Sequence, residues 1–107
     1  MKGRWLLISY NSELLQEICF QASVATRHLG EKAAISLQTR HSDIEAADNV
    51  FDLPVGQVLV NDNLCTLTVA NTLSIIMAPN YGPPAEGALY DWATVGRIKL
   101  MAINDVR

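Results

Sequence analysis

The sequence predicts a single α+β domain in which an antiparallel β-sheet meander carries two N-terminal helices on one face. Three observations lead to this fold class. The chain has 107 residues, which suffice for one domain and leave no length for a second. Apolar residues recur at steps of three and four in the first half of the chain, and at every second position in the second half. Helices that pack on one face of an antiparallel sheet bury the apolar residues of both patterns. The predicted order of elements is β-α-α-β-β-β.

The first half of the chain is predicted to be a strand followed by a helical hairpin. Trp5 to Ser9 is a short apolar run and predicts the first strand. Asn11 or Ser12 can cap the helix that follows, which continues, with a kink, as far as Gly30. This glycine supplies a stop, and the second helix runs from Glu31 to about Ala47.

The second half of the chain is predicted to form most of the sheet. Gln57 to Val60 and Leu64 to Val69 are separated by an Asn-Asp-Asn turn. After a tight turn at residues 71–72, residues 73–77 continue the apolar face. The three prolines and two glycines between Pro79 and Asp91 predict a long loop.

The last strand is predicted at about residues 94–103. Ile98, Leu100 and Ala102 are predicted to share its core face. Both of its faces end in apolar residues, which indicates a central strand rather than an edge strand. Trp92, just before this strand, is predicted to anchor the preceding loop to the core.

The composition argues against several classes of protein. Eleven acidic against eight basic residues give a net charge of −3, unlike the basic balance that is common in proteins that bind nucleic acid. No apolar run approaches the ~20 residues of a membrane-spanning helix. The apolar start is too short for a signal peptide. These features predict a cytoplasmic protein that does not bind a membrane.

Cysteine and histidine are too sparse to predict a metal site, and no cofactor is predicted. Cys19 and Cys65 have no CxxC partner and are predicted to be buried thiols in a reducing compartment. His28 and His41 have no further Cys or His at ligand spacing. His41 lies on the apolar face of the second predicted helix, which predicts a partly buried structural histidine rather than a catalytic base.

Four segments of the chain have a recognisable order and spacing. They are a helix with a small-residue end at residues 30–47, the turn sequence Leu53-Pro54-Val55-Gly56, the strand Leu73 to Pro79, and the ending that begins Asp91-Trp92-Ala93-Thr94-Val95. Together they resemble the HigB-like branch of the RelE/ParE toxin superfamily, whose corresponding motifs are "LPLG", "YRLIFEP" and "DWSKV…IRILEIxDYH". The resemblance extends from Leu7 to Arg107.

The resemblance implies the toxin component of a type II toxin–antitoxin system, with a helix-turn-helix antitoxin as its partner. Such toxins cleave messenger RNA on the ribosome, where the 2′-hydroxyl of the RNA attacks the adjacent phosphate. The reaction needs a base, an acid and cations for the developing charge. In this chain Lys99, Asp105 and Arg107 are the catalytic candidates that the resemblance implies. Arg97 and Lys99 are the candidates for binding RNA.

The chain departs from the family pattern at positions that carry charge. The family's basic "LKGxRxG" stretch is replaced by residues 59–64, which contain no basic residue. Ser74 takes the place of the family's strand arginine, and Val106-Arg107 takes the place of its terminal Tyr-His. Thr66 and Thr68, on the outward face of the middle strands, offer hydroxyl groups but no charge.

Three functional hypotheses remain open. The chain is a toxin that cleaves ribosome-bound mRNA, or an inactive relative that binds its antitoxin or a second copy of itself in a homodimer, or a gyrase-directed toxin of the ParE branch. The acidic balance and the missing basic stretch favour the second. The C-terminal Asp-Trp pattern argues against the third. Tyr10, Tyr81, Tyr90 and His28 have side chains that stack on bases, although their spacing predicts no platform.

Overall fold

The structure, a computed structural model, describes residues 6–53, 57–61, 63–69, 73–80 and 91–107. In chain order its elements are β1 Leu7–Tyr10, α1 Glu13–Phe20, α2 Ala22–Leu29, α3 Glu31–Ala46, a 3-10 turn at Val50–Asp52, β2 Gln57–Asn61, β3 Leu64–Val69, β4 Leu73–Pro79 and β5 Arg97–Ile103. The described chain is α+β, as predicted. None of the described helices has the length and hydropathy that crossing a membrane requires.

The described strands form one mixed sheet in the order β1-β5-β4-β3-β2. β2 to β5 make an antiparallel meander, and β5 lies between β1 and β4, which confirms the prediction of a central last strand. β1 pairs with β5 in parallel, so the prediction of an antiparallel sheet throughout is wrong. The helices and the meander lie between these two strands in the chain, and a long connection lets two strands run in the same direction.

The structure has one helix and one strand more than the predicted order β-α-α-β-β-β. The extra helix arises at Gln21, whose extended backbone (φ −122°, ψ 109°) ends α1 and begins α2. The extra strand is β2, which corresponds to the predicted segment Gln57 to Val60. The predicted turn separates this segment from Leu64 to Val69, but the predicted order does not count it, and it pairs with β3.

Cap geometry confirms two of the predicted helix boundaries. Ser12 Oγ accepts a hydrogen bond from the backbone N–H of Leu15 at 3.2 Å and so caps α1. Gly30, with φ 89°, ends α2 and precedes α3. This positive φ favours glycine, because other residues rarely adopt it.

One hydrophobic core lies between the helices and one face of the sheet. Its fully buried side chains come from every layer of the fold, including Leu15, Leu37, Ile44, Leu67, Ile75 and Ile98. The opposite face, called the outer face below, consists of the residues that alternate with these core positions. Cross-strand pairing places on it Leu7 with Arg97, Ser9 with Lys99, Ala78 with Lys99, Leu59 with Thr66, Thr66 with Ile76, and Thr68 with Ser74.

A register shift in the β4–β5 ladder changes which residues of β5 reach the core. Ile98 and Leu100 belong to the core cluster, as predicted. After the shift, Ile103 joins the cluster and Ala102 pairs with Ile76 of the outer face. Ala102 is fully buried, but it does not share the face of Ile98 and Leu100 as predicted, because an irregularity of one residue reverses the alternation of a strand.

Some predicted features lie outside the described residues. They are Trp5 at the start of the first strand, residues 54–56 of the LPVG turn, the turns at residues 62 and 70–72, and the loop at residues 81–90 with Tyr81 and Tyr90. Trp92, which follows that loop, is 3% exposed and belongs to the core cluster.

The packing predicts different costs for two isoleucines of α3. Ile44 is fully buried, whereas Ile35 is 58% exposed. Ile44→Ala should lower the free energy of unfolding by ~2–5 kcal/mol, because it leaves a cavity in the core. Ile35→Ala should change it by no more than about 0.5 kcal/mol. Urea unfolding followed by circular dichroism measures both, and equal costs would contradict this packing.

Candidate functional site

Arg97 and Lys99, the predicted RNA-binding residues, lie two positions apart on the outer face of β5. Arg97 is exposed, and Lys99 is half-buried between its paired neighbours Ser9 of β1 and Ala78 of β4. Alternate residues of a strand are ~7 Å apart and project to the same side. The two cations therefore share one surface.

The rest of the described outer face offers hydroxyl groups and apolar surface. Thr66, Thr68 and Ser74 supply the hydroxyls, and Leu59 and Leu64 are 59% and 43% exposed. Among the strand residues that the structure describes on this face there is no carboxylate and no imidazole. Cleavage of a phosphodiester needs groups that accept and donate protons beside the cations. The described face is equipped to contact an anion and lacks the usual groups for proton transfer.

Asp105 and Arg107 lie beyond the end of β5, in a short C-terminal turn. Ile103 and Val106 form a backbone bridge across this turn. The carbonyl of Arg107 accepts a hydrogen bond from Ser12 Oγ at 3.2 Å. This end of the described chain therefore lies beside the start of α1.

The structure places the three catalytic candidates in two different regions. Lys99 lies within β5, and the last residue of that strand is ~13 Å further along. Asp105 and Arg107 follow that residue. Arg97 and Lys99 are the two candidates that the fold brings onto one surface.

A hydrogen bond and a polar contact join three residues of β1 and α3 on the helix side of the sheet. The hydroxyl of Tyr10 lies 2.8 Å from Nε2 of His41, and Nδ1 of His41 lies 3.4 Å from Oε1 of Glu45. The tautomer with its proton on Nδ1 directs that proton towards the carboxylate, and in this tautomer Nε2 accepts from the Tyr10 hydroxyl. His41 is 4% exposed, as expected of a structural histidine.

Phe20 of α1 packs against this Tyr10–His41–Glu45 cluster. Its ring meets His41 edge-on, with centroids 5.1 Å apart, and meets Tyr10 edge-on at 5.8 Å. These are the favoured arrangements of aromatic pairs. Phe20 is nevertheless 57% exposed, so the cluster reaches the surface at this ring.

Burial governs the protonation of the cluster. Desolvation lowers the pKa of His41 from its ordinary value of 6.5, and the negative charge of Glu45 opposes that shift. Desolvation raises the pKa of Tyr10 far above its ordinary value, with smaller contributions from Cys19 and Glu45. It also raises the pKa of Cys19 to about 12. At neutral pH the imidazole is therefore neutral, and neither the phenol nor the thiol is ionised as a nucleophile.

A groove of about 380 Å³ opens beside the cluster. Residues 6–8 and Tyr10 line it from the side of β1, and Gln16, Phe20 and Glu45 line it from the helices. The groove therefore combines apolar side chains with one carboxylate, and its described lining contains no cation.

Sequence reasoning missed the cluster because its members come from three separate elements. The only local signal is the spacing of His41 and Glu45, since residues four apart lie on one face of a helix. Nothing local links Tyr10 or Phe20 to that face. Their contact depends on how β1 packs against α1 and α3.

Cys19 and Cys65 are free and buried, which confirms their prediction as buried thiols. Within the ranges that the structure describes, no three His, Cys, Asp or Glu residues converge in a way that could hold a metal ion. No family model, curated protein or solved structure matches the chain. Its function must therefore be inferred from its own residues and geometry.

The hydroxyl of Tyr10 is predicted to stabilise the fold through His41. Tyr10→Phe removes the donor and leaves Nε2 of the buried imidazole without a partner, which should lower the free energy of unfolding by ~1–3 kcal/mol. Chemical denaturation measures the change. In a His41→Leu background the same substitution should cost less, because no buried acceptor is left unpaired. Equal costs in the two backgrounds would show that the residues are not coupled.

The pKa of His41 predicts that stability falls as the pH is lowered. Its pKa is lower in the folded chain than in the unfolded chain, so the unfolded chain binds the proton first. The free energy of unfolding should therefore decrease from about pH 7.5 to about pH 5.5, by at most ~1.4 kcal/mol per pH unit. His41→Gln should flatten this dependence in urea unfolding. His28→Gln, at an exposed position of α2, should keep it. A dependence that survives His41→Gln would point to another group.

Proposed function

We propose that this chain is the toxin-like member of a toxin–antitoxin pair and that it acts by binding a protein rather than by cutting RNA. The observation that carries the proposal is apolar surface at the groove, where Leu7 is 61% and Phe20 is 57% exposed. Exposed large apolar side chains that border one groove are typical of interaction sites. The resemblance to HigB-like toxins supports a helix-turn-helix antitoxin as the partner.

The distribution of charge supports binding over cleavage. The chain has a net charge of −3, which opposes the approach of a phosphate backbone. Its two cations on the outer face, Arg97 and Lys99, stand among hydroxyl and apolar side chains, and no described strand residue of that face is a carboxylate or imidazole. Cations alone stabilise charge without moving a proton.

Cleavage of mRNA is a second candidate, and the shared face of Arg97 and Lys99 is the observation that favours it. Two cations on one strand can contact neighbouring phosphates, as basic side chains do in most nucleic-acid complexes. If the chain cleaves RNA, Lys99→Ala should reduce the rate by ~10²–10³, the usual cost of removing one group that stabilises the transition state.

Expression of the chain alone in bacteria separates the two functions. We expect normal growth and unchanged mRNA ends in primer extension, from protein recovered in soluble form. When the product of a neighbouring small reading frame is coexpressed, we expect the chain to copurify with it. Growth arrest with new cuts inside translated frames would overturn the proposal, provided that Lys99→Ala abolishes the cuts and Lys32→Ala, at an exposed position of α3, does not. Arrest without cuts would point to a target such as gyrase.

A further inference from the structure

β1 is the last strand at one side of the described sheet, and its backbone is paired on one side by β5. The N–H of Leu7 donates to Gly96 at 2.9 Å, and the N–H of Asn11 donates to Leu100 at 2.9 Å. In a parallel ladder the backbone groups of alternate residues point to the same neighbour. The N–H and C=O groups of Ile8 therefore point away from β5, and so do those of Tyr10.

The open side of β1 coincides with the groove. Ile8 and Tyr10 both line it, so their outward backbone groups border a space of about 380 Å³. At residue 6, just before β1, the same side is already occupied, because the N–H of Leu6 donates to the carbonyl of Ala47 at 2.8 Å. A strand added beside β1 would continue a pattern of backbone hydrogen bonding that the chain itself begins.

The walls of the groove define the side chains that would fit. Phe20 and Leu7 present apolar surface at its rim, each more than half exposed. Glu45 presents a carboxylate with a side chain that is 51% exposed. His41, which lies beside Glu45, is neutral because it is buried. None of the described residues that line the groove carries a positive charge to balance the Glu45 carboxylate. Charge complementarity therefore calls for a cation flanked by apolar residues.

We propose that the groove along β1 binds an extended peptide of a partner protein as an added strand, with a lysine or arginine of that peptide on Glu45. Backbone groups of Ile8 and Tyr10 supply the main-chain hydrogen bonds, and Phe20 packs against an apolar side chain of the peptide. This is the strand-addition mode of peptide recognition, in which the main chain gives affinity and side-chain pockets give specificity. The inference rests on the proposed binding function and assigns it a place.

A second copy of the chain suits the groove less well. Residues Leu7–Tyr10 contain no charged residue, so a pair of β1 strands would bring no cation to Glu45 from that segment. A ladder of four residues also falls short of the ~800 Å² per partner that stable interfaces commonly bury. Both arguments favour a peptide of another protein.

The binding of labelled peptides to the purified full chain tests the inference by fluorescence anisotropy. The probe is a nonapeptide of alternating threonine and valine with one central lysine, and its comparison peptides have glutamate at the centre or prolines at alternate positions. We expect the lysine peptide to bind at least about tenfold more tightly than either comparison peptide, because a central glutamate is repelled by Glu45 and prolines remove main-chain hydrogen-bond donors.

Matched variants locate the binding. Glu45→Gln and Phe20→Ala should each weaken the binding of the lysine peptide about tenfold. Two control variants should leave the affinity for the lysine peptide unchanged. They are Glu31→Gln on the same helix and Phe51→Ala, whose ring is also 57% exposed. Urea unfolding of each variant verifies that it remains folded, and Glu45→Asp should restore part of the affinity.

The outcomes separate this inference from the proposed function. Absence of binding by the lysine peptide, or binding that is indifferent to Glu45→Gln and Phe20→Ala, would overturn the inference even if the chain copurifies with a partner. A dimer in analytical ultracentrifugation that Phe20→Ala dissolves would overturn it in favour of a second copy. Cuts in mRNA on induction would overturn the proposed function while leaving the peptide result to stand on its own.

Discussion

The parallel pairing of β1 with β5 is the constraint on which the rest of the structure depends. These strands come from opposite ends of the chain, so the helices and the meander must be accommodated between them. The pairing of Tyr10 with Leu100 fixes how far β1 advances along β5. It thereby sets which residues of α1 and α3 meet the Tyr10 side chain. Because β1 lies at the end of the described sheet, no described strand pairs with its other side.

The Tyr10–His41–Glu45 cluster links the stability of the core to the shape of the groove. Burying an imidazole costs free energy unless both of its nitrogen atoms find partners. Tyr10 satisfies one nitrogen and Glu45 lies beside the other. Glu45 also lines the groove, with a side chain that is 51% exposed, so the cluster connects a buried position of the core to the surface of the groove.

The parts of the structure that sequence predicted are those with a local cause. Ser12 and Gly30 mark helix ends through capping and a positive φ, and period-two alternation places Arg97 and Lys99 on one face. A kink between Ser12 and Gly30 was predicted, but its place at Gln21 was not, because glutamine is a good helix former and gives no local signal for an extended backbone. The Tyr10–His41–Glu45 cluster could not be predicted from the sequence either. It depends on contacts between residues 31 positions apart.

The outer face and the edge of β1 are chemically suited to different partners. The outer face offers two cations among hydroxyl groups and leucines, which can attract a phosphate but supply no described carboxylate or imidazole to assist its cleavage. The edge offers backbone groups that no described strand pairs, and main-chain groups alone bind extended peptides with little regard to sequence. Selectivity at the edge must then come from Glu45 and Phe20. Of the described residues that line the groove, only Leu7 also belongs to the outer face. Substitutions that removed charge from the outer face would therefore leave the edge of β1 almost unchanged.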